Sequence, residues 1–442
     1  MPLEDPLALP SIGAVPAYPG IKSYAPIWGH LRVWEGDGWQ QESMSWKEGV
    51  YLAANLVGPI EYVFTGPDAQ AFLSKISIND VYNWSVGRSK HLVMLDEQGV
   101  IASHALAVRD RESFRMIAGP PWPLFQMRRL DFDVQMTVND IFILQVAGPK
   151  SLDVLVQLLG EGVRDLRFLD AVRVSIPGVD LVMELELSRI GMAGTLAYEI
   201  RGPLEASASV YDAVYEAGKP LGITRLGWRT YAVNHTEGGF PQLGVTWLPS
   251  MLFDPAVRES SVGRLLDAPL TGSIDPADVR SRLRSPHEVN WSWMGKLNHD
   301  FVGREAFEGE IANPKRKTVI LRWNAEDVLE VFASQFEQGE PYKVFEFPVT
   351  PQQPAGGHAD LVTTADGRAI GVSSAVVYSY YYRQLISQTV IDLEESHIGN
   401  EVLVHWGDYG NRVKRVRATV ERFPYLELTR NKDFDVRASS DK

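Results

Sequence analysis

Two periodicities alternate along the first two thirds of the chain. "IEYVFTG" (60–66) places apolar residues at every second position, as a strand with one buried face does. "PDAQAFLSKI" (67–76) then sets Ala69, Phe72, Leu73 and Ile76 on one helical face, with Pro67 and Asp68 at its start. "HLVMLDEQGVIASHALAV" (91–108) reads as two strands joined by a glycine-containing turn. "FILQVAGPKSLDVLVQLL" (142–159) repeats the strand, Gly-Pro, amphipathic-helix order of residues 60–76, which suggests two similar α+β units. From "RKTVILRW" onward the pattern changes to short alternating runs: "KVFEFPV", "LISQTVIDL", "EVLVHWG" and "RVKRVRATV". Gly, Pro and Asp separate them, as in an all-β barrel or sandwich. Residues 1–45, rich in Pro, Gly and Trp and without either period, read as an arm packed across the body. Residues 251–290 read as a loop-rich insertion.

The fold class that follows is α+β. Two packed subdomains are expected over 46–310, a β-barrel over 311–430 and a tail over 431–442. A length of 442 residues supports this division, because it exceeds one ordinary core.

Composition narrows the chemistry. A net charge of −13 argues against a nucleic-acid partner, which needs a basic face. The basic run "NRVKRVRATVER" alternates and reads as the solvated face of a strand. With no cysteine, disulfides, thiolate nucleophiles and Cys-ligated metals are excluded. "MPLEDPLALPSIGAVPAYPG" has acids and prolines where a signal peptide has a basic segment and an apolar stretch. No apolar run approaches membrane-spanning length, so a cytoplasmic protein without a membrane partner is expected. There is no His-x-x-x-His pair, no P-loop, no Gly-x-Ser-x-Gly elbow and no dinucleotide fingerprint, and no metal site is expected.

Aromatic residues around isolated polar groups remain: 12 Trp, 16 Tyr and 17 Phe. Such walls suit a flat, hydrogen-bonding ligand, a pterin or an arene. In "VVYSYYYR", alternation sends Tyr378, Tyr380 and Tyr382 to one face and Tyr381 and Arg383 to the other. Tyr378, Tyr380 and Arg383, with Trp122, are the candidate substrate contacts. "LGWRTYAVNHTEGGFP" (226–241) gathers Arg229, Tyr231, His235 and Glu237 ahead of a turn. As a strand or loop edge, its odd-numbered positions would share a side.

"SRIGMAGTLAYEI" (188–200) interrupts a strand-like run with Gly191 and Gly194 before placing Glu199. It resembles the glycine-rich segment of the glycine-cleavage T-protein (aminomethyltransferase) family. "TGPDAQAFLSKISINDVYNWSVGRSKHLVMLDEQGVI", "QVAGPKSLDVL" and "SPHEVNWSWMGKLNHDFVGREAF" are similar to that family's motifs in the same order, over residues 50–430. "GMAGTLAYEIRGP" and "WRTYAVNHTEGGF" are closer to its tetrahydrofolate-dependent O-demethylases of methoxylated aromatic acids, the vanillate and syringate type. The resemblance implies a three-domain folate-binding fold with tetrahydrofolate as cofactor and a small aromatic substrate. By it, Glu199 grips the pterin edge, with Tyr198 beside it, and Arg229 and Phe240 contact the folate. Tyr231 is the acid or hydrogen-bond donor, with His104 or His235 assisting. A phenol with a reference pKa of about 10 matches a departing phenol, so proton sharing between them would be nearly thermoneutral.

The chain departs from that pattern in three places. Ser103 and His104 replace an aspartate, "NLVGPIEY" lacks the demethylases' histidines, and Gly119 stands where they carry a carboxylate-binding arginine. Arg115, Arg128 or Arg383 would have to replace that clamp. Three readings follow. The first is O-demethylation of a lignin-derived aromatic with methyl transfer to tetrahydrofolate. The second is a folate-independent lyase releasing formaldehyde from a hydroxymethyl group of a diaryl compound. The third is a non-catalytic folate-binding protein.

Overall fold

The computed structural model describes residues 20–27, 30–54, 60–117, 122–179, 185–192, 194–260, 269–350 and 357–438. Residues 1–19 of the expected arm, the 55–59 stretch, Gly119 and the last residues of the tail lie outside these.

The described residues open with the antiparallel pair β1 (Ser23–Ile27) and β2 (His30–Glu35), then helix α1 (Trp39–Glu48). The arm therefore has regular structure that its composition hid. Its helix is fixed from outside: the Glu42 carboxylate accepts the backbone N–H groups of Gly36 at 2.8 Å and Gly38 at 3.1 Å. Next come β3 (Tyr51–Ala54), β4 (Ile60–Thr65), α2 (Ala69–Ile76), β5 (Ser89–Leu95), β6 (Ile101–Arg109), β7 (Phe114–Ile117) and α3 (Trp122–Met127). They are followed by β8 (Gln135–Ala147), α4 (Ser151–Leu159), β9 (Ala171–Val174), β10 (Leu185–Ser188), β11 (Ala197–Pro203), α5 (Ser207–Gly218), β12 (Thr224–Arg225) and α6 (Trp228–Gly238).

Strand β8 joins the two α+β units. Residues 135–140 pair antiparallel with β4, and residues 141–147 pair with β11 and, at their end, with β3. One sheet of order β5-β6-β7-β4-β8-β11-β10-β9 results. Both strand, Gly-Pro, helix echoes fold alike, as β4 into α2 and as β8 into α4. Each helix buries its apolar face, with Phe72, Leu73 and Ile76 in one core and Leu152, Val154 and Leu155 in the other.

Within the loop-rich insertion stands short helix α7 (Pro255–Arg258), and α8 (Arg304–Ala312) follows it. The C-terminal unit comprises β13 (Arg316–Trp323), α9 (Ala325–Ala333), β14 (Asp360–Thr363), β15 (Ala369–Ser379), β16 (Gln384–Asp392), β17 (Glu401–Trp406) and β18 (Lys414–Glu421). Its strands close into a barrel of order β13-β16-β15-β14-β17-β18. "KVFEFPV" is not one of them. Its Pro348 has no N–H to give a ladder, and Phe345 stacks on Trp406 at 4.3 Å instead. No helix among the described residues is long and apolar enough to cross a membrane.

Helix α6 lies between the sheet, α1 and the barrel, buried along most of its length. Helix α1 holds it at both ends. At the start, Glu42 accepts the Gly227 N–H at 3.0 Å. At the end, Lys47 is ion-paired with Glu237, and the Trp46 indole donates to the same carboxylate at 3.2 Å. Ser379 of β15 donates to it at 2.6 Å. Breaking a fully buried pair leaves an uncompensated charge. Lys47→Met is expected to reduce unfolding free energy by about 3–5 kcal/mol, read from denaturant midpoints. The double variant with Glu237→Gln should recover part of the loss.

Candidate active site

The segment 228–238 is a helix rather than a strand edge, begun at Gly227 and stopped at Gly239 with φ +71°. Helical spacing, not alternation, therefore decides which side chains meet. Tyr231 and His235, four residues apart, share a face with ring centroids 4.2 Å apart. His235 Nδ1 lies 2.8 Å from the Tyr231 carbonyl oxygen. A carbonyl only accepts, so that nitrogen carries the hydrogen.

The sheet presents polar groups to this helix. Gln145 lies opposite Glu199 in the β8–β11 register. The Gln145 amide donates to Glu199 Oε1 at 3.5 Å and accepts from the Tyr51 hydroxyl. It also bonds the Tyr231 hydroxyl. Arg201 Nη1 stands 3.8 Å from Glu199 Oε2. The buried Glu199 carboxylate thus has only long contacts. Burial pushes its pKa up, against the opposing pull of Arg201 and Gln145. Burial, and then the Glu199 charge, push the Tyr231 phenol well above its usual value, despite Gln145 and nearby Arg32. Tyr231 is therefore a neutral hydrogen-bond donor and a weaker acid than an unperturbed phenol. This corrects the matched proton sharing expected from the sequence.

Beyond His235 the cluster continues through rings. Phe240 lies 5.8 Å from His235 and 6.2 Å from His104. His91 Nε2 and His104 Nδ1 are 2.8 Å apart. Trp291 packs on both imidazoles, at 4.6 and 5.0 Å, and Trp247 lies 5.7 Å from His104. His91, His104 and Phe240 are only half-buried although rings crowd them, which is how residues on the wall of a cleft behave. Burial lowers the pKa of His91 and of His235 to about 4 and that of His104 well below its ordinary value. All three are neutral near pH 7. Among the described residues no group of acidic and histidine side chains is placed to hold a metal ion.

The structure thus brings Glu199, Tyr231, His235, Phe240 and His104 into one contiguous cluster. Other expected residues stand elsewhere. Alternation along β11 sends Tyr198 to the opposite face, into the apolar core with Leu144 and Ile200, so it does not sit beside Glu199. Arg229 pairs with Glu35 at 2.8 Å and donates to the Phe347 carbonyl, tying arm to barrel. A folate contact there would require that pair to open. Trp122 is core, buried near Phe125 at 6.5 Å, with the Arg129 guanidinium 5.5 Å from its ring.

"VVYSYYYR" does not continue as a strand. Residues 380–383 form the turn between β15 and β16. Tyr378 and Tyr380 meet Trp39 at 6.3 and 5.5 Å, Arg383 covers Tyr380 at 3.9 Å, and Tyr382 packs on Tyr425 at 4.7 Å. These form a separate patch at the barrel rim. Of the proposed replacement arginines, Arg115 is held by Asp110 at 2.6 Å, Glu61 at 2.9 Å and Glu186, while Arg128 and Arg383 are exposed. The glycines of "SRIGMAG" serve packing: a Cβ on Gly191 would lie 2.3 Å from that of Ala197, and Gly194, at φ +77°, abuts Gly238 of α6.

Sequence reasoning passed over Tyr51, Gln145, His91, Trp247, Trp291 and Arg32. Only Gln145, a lone amide in the apolar run "FILQVA", carried a legible signal.

The family described as the GCVT N-terminal domain matches residues 23–247. This chain belongs to that family. It is 32% identical over 439 residues to sesamin methylene transferase of Sinomonas sp. (strain No.22), covering 94% of this chain and 95% of that one. It is 26% identical over 449 residues to syringate O-demethylase of Sphingobium sp. (strain NBRC 103272 / SYK-6), covering 93% and 91%. Glycine cleavage system aminomethyltransferase T from Bartonella henselae shares its fold, with a TM-score of 0.65 at 15% identity over 92% of this chain and 95% of that one. The α+β architecture with a closed C-terminal barrel is thus a GCVT-type fold, and the family includes aminomethyltransferases and O-demethylases.

The low histidine pKa values set an acid limit. His235 takes a proton at about 6.5 when unfolded and at about 4 in the fold. Between these values the unfolded chain binds more protons, so stability falls as pH drops from 6.5 toward 4. The loss amounts to about 3 kcal/mol. His235→Gln should flatten that part of a stability–pH curve measured by urea titration, relative to the wild type.

Proposed function

We propose that this protein removes a methyl or methylene carbon borne on the oxygen of a lignin-derived aromatic compound and passes it to tetrahydrofolate, most simply as O-demethylation. The buried, loosely partnered Glu199 carboxylate, joined through Gln145 to Tyr231, carries this reading. A buried carboxylate with only long contacts fits the two adjacent N–H donors of an aminopyrimidine edge, which it can accept side by side. When bound, tetrahydrofolate supplies the nitrogen that takes up the carbon.

The remaining work belongs to the protein. Tyr231, held neutral by burial, donates a hydrogen bond to the aromatic oxygen as the electron pair of the breaking C–O bond settles there. Phe240, Trp247 and Trp291 offer ring faces to an arene and keep water away. The names of the two relatives aligned over nine tenths of the chain, a methylene transferase and an O-demethylase, support the same class of reaction.

Formaldehyde release without folate, the second reading from the sequence, needs a strong base to deprotonate a hydroxymethyl group. Of the two candidates for that base, His104 and Tyr231, burial and the neighbouring imidazoles hold His104 well below its ordinary pKa, and Tyr231 is held protonated.

Titration calorimetry with tetrahydrofolate tests the assignment. Glu199→Ala should weaken binding at least a hundredfold, and unchanged affinity would remove the pterin role. With methoxylated aromatics, methyltetrahydrofolate should form, and no formaldehyde should appear when folate is left out. Tyr231→Phe should lower turnover about a hundredfold or more with little change in circular dichroism. A wild-type rate would exclude it as the donor.

A further inference from the structure

The pair of imidazoles on β5 and β6 stands outside the Glu199–Gln145–Tyr231 array and has a geometry of its own. His104 lies opposite Val93 in the β5–β6 register, so His91, two residues from Val93, is its diagonal neighbour on the same face. The two rings meet nearly edge to face, 4.9 Å apart at 76°, with Nε2 of His91 and Nδ1 of His104 at 2.8 Å. Trp247 and Trp291, on either side of the insertion, Phe240, just past α6, and His235 near its end face them. The groups acting electrostatically on His104 are other imidazoles. Among the described residues, no acidic group acts on either ring to hold it as a cation.

We propose that His91 and His104 form a charge-neutral proton relay serving the aromatic oxygen of the substrate. This rests on the one-carbon reading above and deepens it. Two neutral imidazoles sharing one hydrogen have only two arrangements. In the first, His91 Nε2–H donates to His104 Nδ1, so His104 carries a hydrogen at Nε2 and His91 Nδ1 has a lone pair. In the second, every hydrogen has moved along by one place: His104 Nδ1–H donates to His91 Nε2, and His91 carries a hydrogen at Nδ1.

The step from first to second balances. When the C–O bond breaks, its electron pair stays on the aromatic oxygen, which takes the hydrogen from His104 Nε2. The shared hydrogen crosses from His91 to His104, and a solvent proton enters at His91 Nδ1. The pair is neutral before and after, so burial in an aromatic enclosure does not oppose the transfer as it would for one imidazole. After product leaves, the reverse shift takes a proton from water entering the site onto His104 Nε2 and releases one from His91 Nδ1 to solvent. Tyr231 then orients and polarises the oxygen, and the dyad delivers the proton. His104 is the catalytic residue of the pair, and His91 acts through it.

The test combines a spectroscopic and a kinetic measurement. Protein labelled with 15N-histidine is titrated with guaiacol, an uncharged methoxyphenol, and two-bond 1H–15N spectra report the tautomers. The expected result is that both rings are neutral at pH 7 and that guaiacol shifts the tautomer balance of both together. In His91→Phe, which keeps an aromatic ring at this position, the His104 response should be lost. Kinetically, His91→Phe and His91→Gln should lower kcat at least tenfold with KM within twofold. The proton inventory in mixed H2O and D2O should change from curved to linear. Tautomers unmoved by bound guaiacol, full kcat in both variants, or a loss confined to KM would overturn the relay and leave the pair as a binding wall. If the wild type transfers no carbon to tetrahydrofolate while the coupled tautomer shift persists, the one-carbon reading fails and the relay stands.

Discussion

The architecture depends on how helix α1 clasps α6. A helix running through the middle of a molecule has polar ends and polar side chains that must be satisfied away from water. Two glutamates meet that need. Glu42 gathers backbone N–H groups from the arm and from the start of α6, and Glu237 is enclosed by Lys47, Trp46 and Ser379. One carboxylate thus ties α1, α6 and the barrel together. The barrel adds Gln388, whose amide donates to the carbonyls of His235 at 3.0 Å and Phe240 at 3.4 Å. With both ends fixed, the face bearing Tyr231 and His235 has one orientation against the sheet.

That orientation sets the electrostatics. On the sheet side a carboxylate, two phenols and an amide are crowded together. On the other side imidazoles are enclosed by tryptophans. In both places desolvation dominates, raising the pKa of Glu199 and Tyr231 and lowering that of the histidines. Every one of these shifts favours the uncharged form. The phenol and the imidazoles are therefore poised to exchange hydrogens and hydrogen bonds rather than to hold charge.

Much of the fold could be read from period alone. The alternation of "IEYVFTG", the helical face of "PDAQAFLSKI" and their echo at 142–159 each became the element they predicted, because their patterns are long and their turns carry glycine. Barrel strands β13, β16, β17 and β18 were legible for the same reason, whereas "KVFEFPV" alternates but is not a strand. Reading failed where distant contacts override local preference. The arm is helical at 39–48 because Glu42 finds backbone donors in the arm and at Gly227, far along the chain. Residues 228–238 look like an edge because the helix is buried all round and has no polar stripe. The candidate site was legible as separate motifs, Glu199 in one and Tyr231 with His235 in another. Gln145, which links them, and His91, which completes the imidazole pair, depend on strand register, and no single stretch of sequence declares that.

Strand β8 crosses both halves of the sheet, and the barrel grips α6 through Gln388, Ser379 and the Ala375 carbonyl, which accepts from Thr236 at 3.2 Å. A chimaera that joins the sheet of one relative to the barrel of another would therefore cut through the support of the helix that bears Tyr231 and His235. Grafting in this scaffold would have to move these barrel positions together with the helix they grip, as one cassette.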